Sequence, residues 1–375
     1  MAKLLMITGL GSAKDLASGK KGAFYSTLEE FHKYWDRIDI IAPRIKNHES
    51  RTMNLFGNVF VHVSPWPLIL HPFWFLKKGV EIYKEQKFDL MTVQEFPPFY
   101  NGIGARLLWH RIKVPYILEI MHIPGYPRAA SFKEKFYRGL MKIFVKFDSA
   151  KAKTVRVINK KQTPDFLKKA GISERKLFYI PAFYIDLEVF NKKNVEKKYD
   201  LVFAARLEKN KGITNLIKAV ELVKRQKPAV TLLVIGGGPL KQRLQEYIYK
   251  NGLSENIIFS GWLETAQDVS LAYNRAGIFV SPSLNEGGPR VALEAMACGL
   301  PIITTEVGLM PDIIKDGENG LFTGWLPEEI AEKIILLMNN GELQNKFSVA
   351  GMELVRQFEK RAAIKNYAEK LKLFI

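Results

Sequence analysis

Along the whole chain, apolar β-branched runs that end in Gly, Pro or Ser alternate with stretches of helical period. The runs predict strands near residues 3–9, 38–42, 59–63, 89–93, 115–121 and 154–158, and a second series near 200–205, 230–235, 257–260, 277–281 and 301–304. In the second series, helical patterns fall at 212–226, 239–251, 265–275, 289–298, 327–339 and 342–357. Strand–helix alternation builds parallel sheets with helices on both faces. A chain of 375 residues exceeds what one core usually fills, so two doubly wound α/β domains are expected. The join is placed in the Lys- and Asn-rich stretch "YIDLEVFNKKNVEKKYD" (184–200), giving domains 1–184 and 185–358. The final helix, 359–375, is a candidate to pack back on the first domain.

Composition narrows the function. Hydrophobic residues at 47% and charged residues at 25% describe a globular protein rather than a disordered one. A single cysteine excludes an intramolecular disulfide and a multi-Cys zinc site, and fits a reducing cytoplasm. The start, "MAKLLMITGLGSAKD", is read as a first strand rather than a signal peptide. The longest apolar stretch, 59–76, contains His62, His71 and three prolines, which argues against a spanning helix. The net charge of +18 is uneven: residues 1–184 carry 31 Lys and Arg against 15 Asp and Glu, whereas residues 185–375 carry 25 against 23. The first half is therefore expected to face an anionic partner. Nucleic acid is not expected, because the basic residues are scattered and no binding motif accompanies them.

The stretch "NEGGPRVALEAMACGLPIITT" (285–305) puts carboxylates into an otherwise apolar strand–loop–helix–strand unit. Pro289 opens the helix; Gly299 and Pro301 stop it. In open α/β sheets, ligands sit beyond the carboxyl ends of strands, where this loop lies. Gly287 and Gly288 allow close backbone approach, and helix-opening amides favour anions or hydroxyls. Glu286 and Glu294 stand about two helical turns apart. Paired carboxylates suit vicinal hydroxyls of a ribose and a sugar; spacing alone fits equally a solvated Glu286 and a Glu294 salt-bridged to an arginine.

This stretch resembles the E-x7-E signature of the family 4 retaining glycosyltransferases, which have the GT-B fold. "FAARLEKNKGI" (203–213), "LLVIGGGPL" (232–240), "IIFSGWL" (257–263) and "NGLFT" (319–323) are similar to that family's motifs in order and approximate spacing. The resemblance implies two Rossmann-like domains with an interdomain cleft. It also implies hexose transfer, with retention, from a nucleotide-diphosphate sugar, without metal or cofactor. Arg206 and Lys211 would hold the diphosphate, Glu294 the ribose hydroxyls, and Glu286 hydroxyls of the transferred sugar. The backbone from Gly287 through Gly288, Pro289 and Arg290 to Val291 would line sugar and phosphates, and Trp262 with Leu263 would border the base. In the first half, Gly22 of "SGKKGAFYSTLEEF" matches the family's glycine loop, although two lysines separate it from Gly19 where adjacent glycines are common. His122, after the strand "PYILEIMH", matches a histidine that contacts the donor sugar.

The acceptor is expected on the basic half: an anionic glycan or a lipid-linked molecule. Two segments there suit peripheral contact with an anionic membrane, on the inner face of the cell membrane. In "FKEKFYRGLMKIFVKF" (132–147), Phe136, Leu140, Ile143, Phe144 and Phe147 share a helical stripe, with Lys135, Arg138, Lys142 and Lys146 off it. "SPWPLILHPFWFLKKG" (64–79) adds Trp66, Phe73, Trp74 and Phe75. The alternative is that both stripes are core. Another GT-B enzyme, such as a nucleotide-sugar epimerase, is the competing function, with a basic nucleic-acid-binding protein the weaker alternative.

Overall fold

The computed structural model describes residues 2–19, 21–44 and 52–375. The chain forms two compact units, one of residues 1–123, 136–182 and 361–375, the other of residues 124–135 and 183–360.

In chain order the first unit comprises β1 (Lys3–Ile7), α1 (Leu10–Ala17), α2 (Ala23–Phe31), β2 (Arg37–Ala42), β3 (Thr52–Leu55), β4 (Val59–Val63) and α3 (His71–Gln86). It continues with β5 (Leu90–Gln94), α4 (Tyr100–Ile112), β6 (Tyr116–Ile120), α5 (Phe132–Ser149), β7 (Thr154–Val157), α6 (Gln162–Lys169) and β8 (Leu177–Tyr179). Its sheet runs β3-β4-β2-β1-β5-β6-β7-β8, parallel except for β3 against β4. The expected strands are present; β3 and β8 are additions. Thr52–Leu55 is a half-exposed edge with only two apolar residues, so it gives no apolar run to read. Right-handed crossovers put α3, α4 and α5 on one face of the sheet. The opposite face carries α2 and the C-terminal helix, whose Tyr367 stacks on Phe31 at 5.0 Å. Tyr367 also donates to Glu119 at 2.9 Å and lies under the Arg156 guanidinium at 3.9 Å.

The second unit comprises β9 (Tyr199–Ala204), α7 (Ile213–Lys224), β10 (Leu232–Ile235), α8 (Lys241–Lys250), β11 (Ile257–Gly261), α9 (Ala266–Asn274) and β12 (Ala276–Ser281). Then follow α10 (Arg290–Ala297), β13 (Ile302–Thr304), α11 (Met310–Ile313), β14 (Leu321–Phe322), α12 (Pro327–Met338) and α13 (Gly341–Val355). The last helix, α14 (Lys360–Lys372), lies almost wholly in the first unit. The second sheet, β11-β10-β9-β12-β13-β14, is parallel throughout. Its inner strands β9, β10 and β12 carry apolar runs at 201–204, 232–235 and 278–280 because both faces are buried there. Leu201, Phe203, Leu232, Val234, Ile278 and Val280 pack on one face, with α7, α8 and α12. Val202, Ala204, Leu233, Ile235 and Phe279 pack on the other, with α9 and α10. The chain order reverses direction between β9 and β12, and a crevice opens at such a point.

Residues 124–135 fall in the second unit because Arg128 N donates to Leu284 O at 3.2 Å and Asn285 Nδ2 to Arg128 O at 2.9 Å. Asn285 also reaches Glu134 at 3.1 Å. Nothing in the spacing of residues 124–135 signals this attachment.

A second buried feature of the first unit is a pair of carboxyl groups, Glu95 and Asp148, at 2% and 0% exposure. They fit because residue 102 is glycine: a β carbon there would lie 2.1 Å from Glu95 Oε2 and 2.3 Å from Asp148 Cγ. Burial raises the Asp148 carboxyl to about 7, and burial followed by the neighbouring Asp148 charge raises Glu95 well above the usual range. The folded chain thus keeps protons that the unfolded chain releases, so stability falls as pH rises through about 7. Thermal denaturation should show a melting temperature at pH 8.5 at least ~2 °C below that at pH 6, the equivalent of about 1 kcal/mol. Asp148→Asn should flatten this dependence; an equal slope in the variant would assign it elsewhere.

Candidate functional site

The loops after β9 and β12 border the crevice, and their backbones touch. Gly212, at φ +71°, starts α7, and a β carbon there would lie 2.0 Å from Pro282 O. Leu284 N donates to Asn210 O at 2.8 Å, closing the same contact. Ser283, buried at the end of β12, is clamped through its carbonyl, which accepts from Trp325 Nε1 at 3.0 Å and Thr305 Oγ1 at 2.6 Å. Trp325 is fixed in turn by Asn215 Nδ2, which donates to its carbonyl at 2.7 Å.

This frame brings Lys211 and Glu286 into an ion pair, with side chains only 20% and 16% exposed. Ser283 Oγ donates to the same Glu286 oxygen at 3.1 Å. Glu286 is therefore an anchored carboxylate, not a solvated loop residue. Arg206, near the start of the β9 loop, has a side chain 65% exposed, in a loose contact with Glu208 at 3.4 Å. Such an exposed pair contributes little, so the guanidinium is available to a ligand anion.

Glu294 lies one turn after Arg290 on α10. It is half-buried, and no described residue hydrogen-bonds or ion-pairs its carboxylate. Burial raises its carboxyl above the ordinary range, and the charge of Arg290 opposes that rise. Arg290 itself lies over the Tyr184 ring at 4.5 Å rather than in a salt bridge. The loop entering α10 is tightly packed. A β carbon on Gly288 would meet the Phe183 ring at 2.1 Å, and one on Gly308, at φ +55°, would meet Gly287 O at 2.3 Å. Pro289 is buried and precedes the helix, Ala292 N donates to its carbonyl at 3.0 Å, and Val291 packs on the core. The first amides of α10 have no acceptor within the helix.

The loops of β10 and β11 join the same frame. Leu207 N donates to Gly237 O at 2.9 Å, and Gly236 N to Gly261 O at 2.8 Å. Gly236 and Gly238 have φ of +126° and +156°, so "GGGP" is a turn that needs glycine. Trp262 is 64% exposed, with its indole nitrogen against Gly237; Leu263 beside it is half-buried in the core. Ser283, Asn285, Thr305 and Trp325 were not marked by sequence. Their contributions come from distant strands brought together by the fold, with no local spacing to betray them.

His122 and Gly22 belong to the first unit. His122 follows β6 and is half-buried; Gly22 has an extended backbone before α2 and accepts from Ser26 N at 3.1 Å.

With this geometry established, comparison with known proteins is specific. Residues 185–354 match the family model of glycosyl transferases group 1. The second unit is thus a group 1 glycosyltransferase domain. An uncharacterized glycosyltransferase of Methanocaldococcus jannaschii is 26% identical over 333 residues, covering 86% of this chain and 87% of that one. Among solved structures, the chain resembles sucrose-phosphate synthase from Thermosynechococcus elongatus, with TM-score 0.82 and 17% identity over 100% of this chain and 99% of the other. It also resembles Anabaena HepE in complex with UDP-glucose, with TM-score 0.75 and 19% identity over 100% of both chains. Its two parallel-sheet units are those of the GT-B fold.

Gly212→Ala should destabilise the second unit, since the new methyl would strike the Pro282 carbonyl and the residue would keep a positive φ. A cost of roughly 1–3 kcal/mol is expected by thermal denaturation. An unchanged melting temperature would mean that the two loops part readily.

Proposed function

We propose that this glycosyltransferase moves a hexose from a nucleoside-diphosphate sugar to an anionic glycan or lipid-linked acceptor, with retention of anomeric configuration and without a metal ion. The observation that carries the reading is Glu294: a half-buried carboxylate that no described residue hydrogen-bonds, beside the glycine-lined entrance of α10. Burying such a group without a partner is costly, and vicinal ribose hydroxyls would supply two donors. HepE, solved with UDP-glucose, supports a donor of this class.

Lys211 and Glu286 form an ion pair. Donor binding would exchange partners: the diphosphate takes the Lys211 ammonium, and Glu286 turns to the hydroxyls of the sugar. Arg206 would close on the diphosphate from its exposed side. As the sugar–phosphate bond lengthens, both cations stabilise the charge growing on the leaving diphosphate. The leaving phosphate oxygen accepts the acceptor's proton on the face where the new bond forms, so no side-chain base is required. His122 is assigned to the sugar, Gly22 to the diphosphate, and Trp262 with Leu263 to the base. The surplus of basic residues in 1–184 supports an anionic acceptor and peripheral contact with an anionic membrane.

Glu294→Ala and Lys211→Ala should each cost roughly 2–4 kcal/mol of transition-state stabilisation, about 30- to 900-fold in kcat/KM, while the melting temperature stays near wild type. Thermal-shift screening of UDP-, GDP- and ADP-sugars selects the donor for that assay. Turnover within about twofold of wild type in either variant would remove the assignment.

Donor affinity should also depend on pH. Ribose hydroxyls donate to the charged carboxylate, so affinity falls as acid protonates Glu294, beginning above the usual carboxylate range. Titration calorimetry across pH 4–8 should show the fall in wild type and not in Glu294→Gln; identical profiles would place the titrating group elsewhere.

A further inference from the structure

The outer surface of the helical layer α3–α4–α5 carries apolar side chains that no part of the first unit covers. On α5, Met141, Val145 and Asp148 face inward and are buried, and Phe144 stacks on Phe99 at 4.6 Å. Phe144 thus leaves the stripe expected from sequence. Phe136, Ile143 and Phe147 do not: they are 55%, 66% and 46% exposed, on the side of the helix opposite its buried residues. Spacings of seven and four residues align them along a single line. Lys142 and Lys146 flank that line, are exposed, and pair with no described carboxylate.

A second patch stands at the start of α3. Leu68, Ile69 and Leu70 form a short 3-10 turn at 36%, 68% and 41% exposure, and Phe73 follows at 56%. Trp74 and Phe75 of the same segment are buried, so only part of it is core. Both α3 and α5 follow strands of a parallel sheet and start at its carboxyl edge. Between them α4 adds Leu107 at 37% exposure, and Arg106 packs on the Phe147 ring at 3.8 Å. Soluble proteins seldom expose aromatic and aliphatic side chains in such density unless something covers them.

We infer that this layer is a bilayer-docking surface, in which Phe136, Ile143 and Phe147 of α5 and the Leu68–Phe73 segment enter the headgroup region of an anionic membrane. This deepens the membrane contact proposed above by naming the face that makes it. Charge selects the occupant. An apolar face bordered by lysines that pair with no described carboxylate, in the half of the chain holding 31 basic against 15 acidic residues, complements anionic phospholipid. A second copy would bring the same lysines against each other. Docked this way, the acceptor-binding half lies where lipid-linked acceptors are held.

The test is sedimentation of the full chain with vesicles of phosphatidylglycerol and phosphatidylcholine, against phosphatidylcholine alone, at 50 and 500 mM salt. Wild type should bind the anionic vesicles at least tenfold more tightly than the neutral ones, and less at high salt. The triple variant Phe136→Ser, Ile143→Ser, Phe147→Ser should lose at least tenfold, as should the charge reversal Lys142→Glu, Lys146→Glu. Melting temperature and the thermal shift with nucleotide sugar should stay at wild-type values in both, which separates this inference from the donor site. Equal binding to both vesicle types, or undiminished binding by the triple variant, would overturn it. So would a dimer, seen by analytical ultracentrifugation, that the triple variant abolishes while wild type ignores vesicles.

Discussion

Two backbones lie closer together at the crevice of the second unit than any side chain would allow. Gly212 sits against the carbonyl of Pro282, and Asn210 against the amide of Leu284. Lys211 and Glu286 inherit their positions from this contact. Lys211 is the residue before the glycine; Glu286 is four residues past the proline. A β carbon at 212 would push the loops apart and separate the pair. The hydrogen bonds from Leu207 to Gly237 and from Gly236 to Gly261 extend the same frame outward, so four strand ends move as one rim.

The chain treats its buried carboxylates in two ways. Glu95 and Asp148 are enclosed together, where proximity and low polarity hold protons on them. Glu294 is also raised by burial, yet it is only half-buried and has a cation, Arg290, one turn away. The first arrangement suits a group that never meets solvent. The second suits a group whose hydrogen bonds arrive with something from outside.

Much of this was legible in the residues. Both sheets follow from the apolar runs because most strand residues are buried on one face or the other: Leu201, Val202, Phe203 and Ala204 each find a core. The motif order 203–213, 232–240, 257–263 and 285–305 located the rim, since the first three run off the ends of β9, β10 and β11 and the fourth begins just past β12. Short edges were not legible; β14 spans only Leu321–Phe322, and β3 pairs antiparallel where every neighbour is parallel. The bond between Lys211 and Glu286 was also hidden, because it depends on β9 and β12 being neighbours across 75 residues of sequence. Phe144 was misplaced on the outer stripe because helical spacing fixes an angle, not which side of that angle meets the sheet.

The small clasp at residues 124–135 bears on how such a molecule can be rearranged in evolution. It comes from the middle of one unit's sequence and is held by the other, through Asn285 to Arg128 and Glu134. The C-terminal helix runs the opposite way, leaving the second unit's sequence to lie with the first. A recombination that exchanged residues 183–360 as a block would leave Asn285 facing a foreign clasp and α14 facing a foreign sheet. A recombination that exchanges the second unit would therefore have to carry these borrowed pieces across as well.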